Sequence, residues 1–184
     1  MLTHAEVADA LVEGWLTGGP SGSMKGDLEG LLRRARIARL ATVGADGGAR
    51  IVPACFVYHD GRLYSVVDEK PKRAAPESLA RLRHIRSQPR VCLLVDHYEE
   101  DWSRLWWVMV LGKAEVLVEG EEYGAALGAL REKYPQYRRM ALEGRPVIRI
   151  TVERVRVWSA SGPSPSPSPK GRGKAGRADG PSLR

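Results

Sequence analysis

The chain has 184 residues, 43% hydrophobic and 28% charged, enough for one domain with a sizeable core and ordinary for a globular protein. It contains no apolar run of the ~18 residues a spanning helix needs, so no transmembrane helix is expected. The formal net charge is +7, but the segment after Gly162 carries Lys170, Arg172, Lys174, Arg177 and Arg184 against Asp179 alone, which accounts for four of the seven. The remaining surplus of three suits a phosphate-bearing ligand and gives no ground for a nucleic-acid partner.

The N-terminal residues 1–27 read as a partly flexible extension. Val7, Leu11 and Trp15 recur every four residues, the spacing of a short amphipathic helix over 5–16, and TGGPSGSMKGD then breaks it. Glu6, Asp9 and Glu13 stand where a secretory signal carries bases, so a cytoplasmic protein is expected, and Met24 is a candidate start. The folded domain is expected over 28–158. DLEGLLRRAR (27–36) reads as a helix with Asp27 as N-cap. Three strands follow, at 37–43, 49–58 and 62–67, joined by turns containing Asp46-Gly47 and Asp60-Gly61, residues that tolerate positive φ. A helix over 76–88 with Pro76 in its first turn leads to strands at 90–96 and 106–119, the latter with a bend or bulge expected at Gly112. One or two helices surround Pro135, and 147–158 is a last strand with apolar positions at Ile148, Ile150, Val152, Val155 and Val157. Hairpins dominate this order, which predicts a mainly β, antiparallel sheet closed into a barrel with flanking helices. The tail, 159–184, is rich in Ser, Pro, Gly and basic residues and cannot build a core. It reads as a disordered, inert extension, because it lacks aromatics that could stack on bases. Cys55 and Cys92 sit in apolar strands and read as buried free thiols in a reducing compartment, with no metal-ligand spacing.

Two segments carry chemistry. In YSVVDEKPKR (64–73) a strand ends and Lys70, Lys72 and Arg73 follow within four residues, compact positive charge of the kind a phosphate requires, on a turn stiffened by Pro71. In DHYEEDWSRLWW (96–107) three tryptophans fall within six residues, able to stack on a planar ring or fill an interface. Trp106 and Trp107 are adjacent on a strand and should face opposite sides, one into the core and one towards a partner subunit. No Gly-x-Ser-x-Gly, His-Glu-x-x-His or Walker motif is present, and no catalytic acid or base is singled out.

With these residues in view, the span from about Leu31 to Leu117 resembles the pyridoxamine 5'-phosphate oxidase-like split barrels. ARLATVGADGGARIVPACFVYHDGRLYSVVDEKPKR is similar to that family's opening hairpins and phosphate loop, and SQPRV (87–91) to its helix-to-strand transition. VDEKPK together with DHYEEDWSRLWWV is similar to a subgroup expected to use the deazaflavin F420. The resemblance implies a six-stranded antiparallel FMN- or F420-binding split barrel, homodimeric, with cofactor at the interface. It implies Lys70, Lys72 and Arg73 on the cofactor phosphate, Arg50 as a second phosphate contact, Tyr64, Ser65 and Val66 against the ring system, and Trp106 and Trp107 on the strand reaching the partner's site. Departures fall at Cys55, in place of an oxidase lysine, at Met109, and after Trp158, where the oxidase's substrate-binding segment has no counterpart. An F420-dependent reductase acting on a small organic acceptor is therefore expected. An FMN-binding oxidoreductase or flavin-binding protein is the alternative, and a non-catalytic cofactor or haem carrier the third reading. Arg73, Arg81, Arg83 and Arg86 beside the lysines suit F420's longer anionic tail.

Overall fold

The computed structural model describes residues 25–68 and 79–160. Helix α1 (Lys25–Arg34) leads into β1 (Ile37–Val43), β2 (Ala49–Cys55), β3 (Val57–His59) and β4 (Arg62–Val66). Helix α2 (Ala80–Ser87), β5 (Arg90–His97), a 3-10 turn (Trp102–Arg104) and β6 (Trp106–Leu117) follow. Helix α3 (Glu121–Lys133), a second 3-10 turn (Pro135–Arg139) and β7 (Val147–Ser159) complete the described chain. No described helix is long and apolar enough to cross a membrane.

All seven strands join one antiparallel sheet in the order β2-β1-β5-β6-β7-β4-β3. Its two ends, β2 and β3, are consecutive in the chain with Phe56 alone between them. Two peptide units reach about 7 Å at most, so the edges must meet and the sheet must curl round on itself. β2 pairs with β1, whereas β4 pairs with β3 and β7, so the barrel is split between β2 and β4. The fold is thus the mainly β split barrel with flanking helices that the sequence implies.

Seven strands replace the expected six because the run 49–58 divides at Phe56. Up to Cys55 it is in register with β1; from Val57 it is in register with β4. Phe56 is fully buried at the corner, and its backbone groups leave the ladder for the hydroxyl of Tyr134, which accepts from the Phe56 N–H at 3.0 Å and lies 2.7 Å from the Phe56 carbonyl. Helix α1 starts before Asp27, so Asp27 lies in its first turn instead of capping it, and the helix ends at Arg34. Arg36 is drawn away to donate to the Lys133 carbonyl at 2.7 Å. The expected helices at 5–16 and at the start of 76–88, and the tail from 161, lie outside the described residues; the described part of the second helix is α2.

The turn chemistry holds. Asp60 (φ 47°) and Gly61 (φ 72°) both adopt positive φ between β3 and β4, the geometry of a two-residue hairpin. The irregularity expected at Gly112 is a bulge on its partner strand: Leu111 faces Arg154 and Gly112 faces Val152, leaving Glu153 as the extra residue of β7. A Cβ on Gly112 would stand 2.2 Å from the Thr151 carbonyl oxygen, which only glycine permits.

Alternation along β1, β5 and β6 sends Leu40, Leu93 and Val110 inwards, where they meet Ile148 and Ile150 of β7. Leu28 and Leu32 of α1, with Leu82 and Ile85 of α2, extend this core. Each such leucine contributes roughly 2–3 kcal/mol by leaving water. A second cluster lies outside the barrel, where Tyr123, Leu127 and Leu130 of α3 pack on Val57, Tyr64 and Val147. α3 therefore covers the outer face of β3, β4 and the start of β7.

Candidate functional site

Among the described residues, no such helix covers the outer face of β1, β2, β5 and the adjoining halves of β6 and β7. Register places Val43, Ile51, Pro53, Leu94, Met109 and Trp158 on it, one or two from each strand. Ile51 is 67% exposed and Trp158 42%, values that ordinary burial of isoleucine and tryptophan does not produce. Arg39 and Asp96 form a salt bridge within this face, so the pair adds no net charge. Of the two thiols, Cys92 of β5 lies on this face, whereas Cys55, at the end of β2, packs against the cluster beneath α3. They are free but half-buried, not buried as expected, and burial pushes the Cys92 thiol above its ordinary pKa.

Trp106 and Trp107 point to opposite sides, as adjacent strand residues must. Trp106 packs against the barrel core with His97 stacked on it at 6.1 Å, whereas Trp107 stands across from Trp158 on the uncovered face. Arg50 lies at the far end of β2, opposite Thr42, exposed beyond the barrel's interior, and no described residue pairs with it.

The strand expected to lie against a ring is placed differently, residue by residue. The Tyr64 side chain is buried beneath α3, where its hydroxyl donates to Glu122 Oε1 at 2.8 Å. Burial and that carboxylate push its pKa up to about 12. Val66 belongs to the same outer cluster, and Ser65 is buried opposite Ile148. What this strand can offer a ligand is therefore backbone and edge, not the Tyr64 ring. Beyond it, Val67 donates its N–H to the Pro146 carbonyl at 2.9 Å, and Asp68 is buried with Oδ2 3.4 Å from the Tyr137 hydroxyl. Arg81 of α2 faces Asp68; burial lowers its pKa and the Asp68 charge partly restores it. Part of the arginine surplus beside the lysines thus serves this contact. Lys70, Lys72 and Arg73 lie outside the described residues, in the stretch bounded by Asp68 and α2.

Three groups that sequence reasoning passes over hold this geometry. Tyr134 closes the corner at Phe56. Glu122, the second residue of α3, accepts from Tyr64 and, at 2.8 Å, from Arg149. Burial raises the Glu122 pKa, but those two donors outweigh it and leave it below the ordinary value. Lys133 is half-buried, 4.3 Å over the Phe56 ring, and burial lowers its pKa to about 8. The available signal is the Glu-Glu-Tyr start of α3 and the Lys-Tyr-Pro at its end, polar groups flanking a run, 124–130, that is apolar or small throughout.

Among solved structures, a conserved hypothetical protein from Mycobacterium tuberculosis is similar at 20% identity and TM-score 0.64, over 78% of this chain and 88% of that one. The heme storage protein of Vibrio cholerae matches at 13% identity and TM-score 0.58, over 74% and 94% of the two chains. A FAD-binding protein from Mesorhizobium loti matches at 24% identity and TM-score 0.53, over 71% and 91%. At these identities the likeness is one of fold. No curated protein matches the chain. The family model described as pyridoxamine 5'-phosphate oxidase matches residues 24–159, from the start of α1 to the last residue of β7. With the split barrel, its uncovered face and this match along its whole length, the chain belongs to the pyridoxamine 5'-phosphate oxidase family.

Proposed function

We propose that the protein is a homodimeric oxidoreductase that holds the deazaflavin F420, with FMN as the alternative, and passes a hydride to a small organic acceptor. The observation that carries this reading is the unequal cover of the barrel. One half of its outer surface is sealed by α3, and the other half presents exposed apolar side chains together with Arg154 and Arg156, while Arg50, which no described residue pairs, stands exposed beyond the barrel's interior at the far end of β2. An anionic, planar cofactor fits such a surface: its ring needs an apolar wall and its phosphate needs a cation not already neutralised.

When bound, the cofactor supplies the hydride chemistry. The chain supplies position. Lys70, Lys72 and Arg73 hold the phosphate or acidic tail, with Arg50 of β2 as a further cation. The uncovered face excludes water from one side of the ring, and a second copy, docking face to face, excludes it from the other and contributes Trp107. Arg83 and Arg86 are exposed on α2, which follows the lysine segment in the chain, and further basic residues there favour the longer anionic tail of F420 over FMN. A haem carrier is the third reading; of the described histidines His97, with Nε2 3.5 Å from Glu99, is the one beside the tryptophan segment and the candidate axial ligand.

Fluorescence quenching with F420 and with FMN tests the proposal. F420 should bind the native protein, and Lys70→Ala/Lys72→Ala should weaken it by about tenfold or more, as expected for losing charge-assisted hydrogen bonds. FMN binding alone would move the assignment to the flavin alternative. Binding of neither would overturn it, and F420 binding without turnover of enones, quinones or nitroaromatics would leave a carrier.

A further inference from the structure

The loop between β5 and β6 holds two large aromatic rings out in solvent: Tyr98 is 66% exposed and Trp102 77%. The loop is nevertheless braced. Asp101 Oδ1 accepts from the Ser103 N–H at 3.1 Å and from its hydroxyl at 2.6 Å. Arg104 pairs with Glu99 at 2.8 Å, and the same carboxylate is 3.5 Å from His97. A loop fixed in this way, with its two largest apolar groups turned outwards, is a preorganised contact surface. Its charge is acidic: Glu99, Glu100 and Asp101 stand in a row against Arg104 alone.

The chain's own last segment leaves the fold at this place. Ser159 is paired with Trp106, and the Ala160 N–H donates to the Leu105 carbonyl at 2.9 Å. The chain continues as SGPSPSPSPKGRGKAGR, with proline at every second position from Pro163 to Pro169, then Lys170, Arg172, Lys174 and Arg177. Alternate prolines bias a chain to the extended polyproline conformation, which needs no internal hydrogen bonds and is recognised by exposed aromatic rings. Pro163–Pro169 in that form spans roughly 20 Å, enough to cross an eight-residue loop. The bases after Pro169 complement the acids of the loop. Starting beside its target, the segment has an effective concentration that a free peptide lacks.

We propose that the tail docks on its own chain's β5–β6 loop, its prolines against Tyr98 and Trp102 and its basic residues against Glu100 and Asp101. This does not depend on which cofactor the barrel holds.

Limited trypsin digestion of the full-length chain, followed by mass spectrometry of cleavage after Lys170, Arg172, Lys174 and Arg177, tests it. Docking should slow these cleavages by about tenfold relative to Trp102→Ala and to Glu100→Lys, because cleavage tracks the undocked population. In 0.5 M salt the native chain should approach the rate of Glu100→Lys, as screening removes the ionic part. Glu100 is exposed and far from the core, so its reversal should leave the circular dichroism of the fold unchanged. Equal tail cleavage in all three proteins at low salt would overturn the proposal. So would a Trp102→Ala chain whose tail is cut at the native rate but whose sedimentation shows a lost oligomer, since the loop would then serve a second copy. Protection that arises only when an oligonucleotide is added would overturn it too, by assigning the tail to nucleic acid.

Discussion

Tyr134 answers for three backbone groups at once. Its hydroxyl accepts from the Phe56 N–H and lies within 2.7 Å of the carbonyls of Phe56 and Arg36, so one proton serves two acceptors in turn. Tyr134→Phe leaves that N–H unpaired inside the protein and should cost about 1–3 kcal/mol in urea denaturation. Gly112→Ala should cost on the order of 3 kcal/mol by the same measurement, because the new methyl meets backbone and not a side chain that can swing aside. Lys133 makes the alkaline behaviour specific. In the folded chain it gives up its proton near pH 8, against 10.5 unfolded, so between these values the unfolded chain holds more protons and stability rises with pH. Tyr58, Tyr64 and Tyr134 act oppositely: burial raises each to about 12, so their contribution is complete below pH 10 and is lost as pH climbs towards 12. Thermal unfolding should therefore be most resistant near pH 10, and Lys133→Met should abolish the rise from pH 8 while keeping the later fall.

At the scale of elements, most of the barrel is legible in the sequence because its signals are local. Asp60-Gly61 requires a turn wherever it sits between apolar runs. The run 90–97 is a short apolar stretch of strand-forming residues, and its strand extends beyond the predicted end by a single residue, His97. The division at Phe56 is not legible, since ACFVY is uniformly apolar and only the competition between β1 and β4 for the same run decides where it breaks. The bulge in β7 was legible and easily passed over: the inward apolar positions step by two from Ile148 to Val152, then by three to Val155, and the surplus residue is Glu153. The candidate site is less legible than the fold. The cluster of lysines can be recognised from charge alone, but whether the Tyr64 side chain faces a ligand or a helix depends on α3, more than fifty residues away in the chain. Nothing near Tyr64 announces Glu122.

For the whole molecule, the uncovered face makes a prediction about assembly. A strip of apolar side chains that spans five strands, with the Arg39–Asp96 pair, Arg154 and Arg156 on the same face, should bring two copies together. Sedimentation of the native chain should show a dimer. Ile51→Glu, a charge on the most exposed isoleucine of the strip, should yield a monomer whose far-ultraviolet circular dichroism is unchanged. A native monomer would remove the shared-site part of the proposed function and leave the phosphate-binding part standing.

The place of β7 between β4 and β6 has a consequence for how the chain is made. Every other strand has emerged from the ribosome before it, yet two neighbours, one completed about eighty residues earlier, wait with bare hydrogen-bonding edges until it arrives. A nascent chain stalled at Gly144 would thus carry two open edges, and strand edges without partners recruit other chains. Ribosome-bound intermediates of that length should need a chaperone, whereas those released after Ser159 should not.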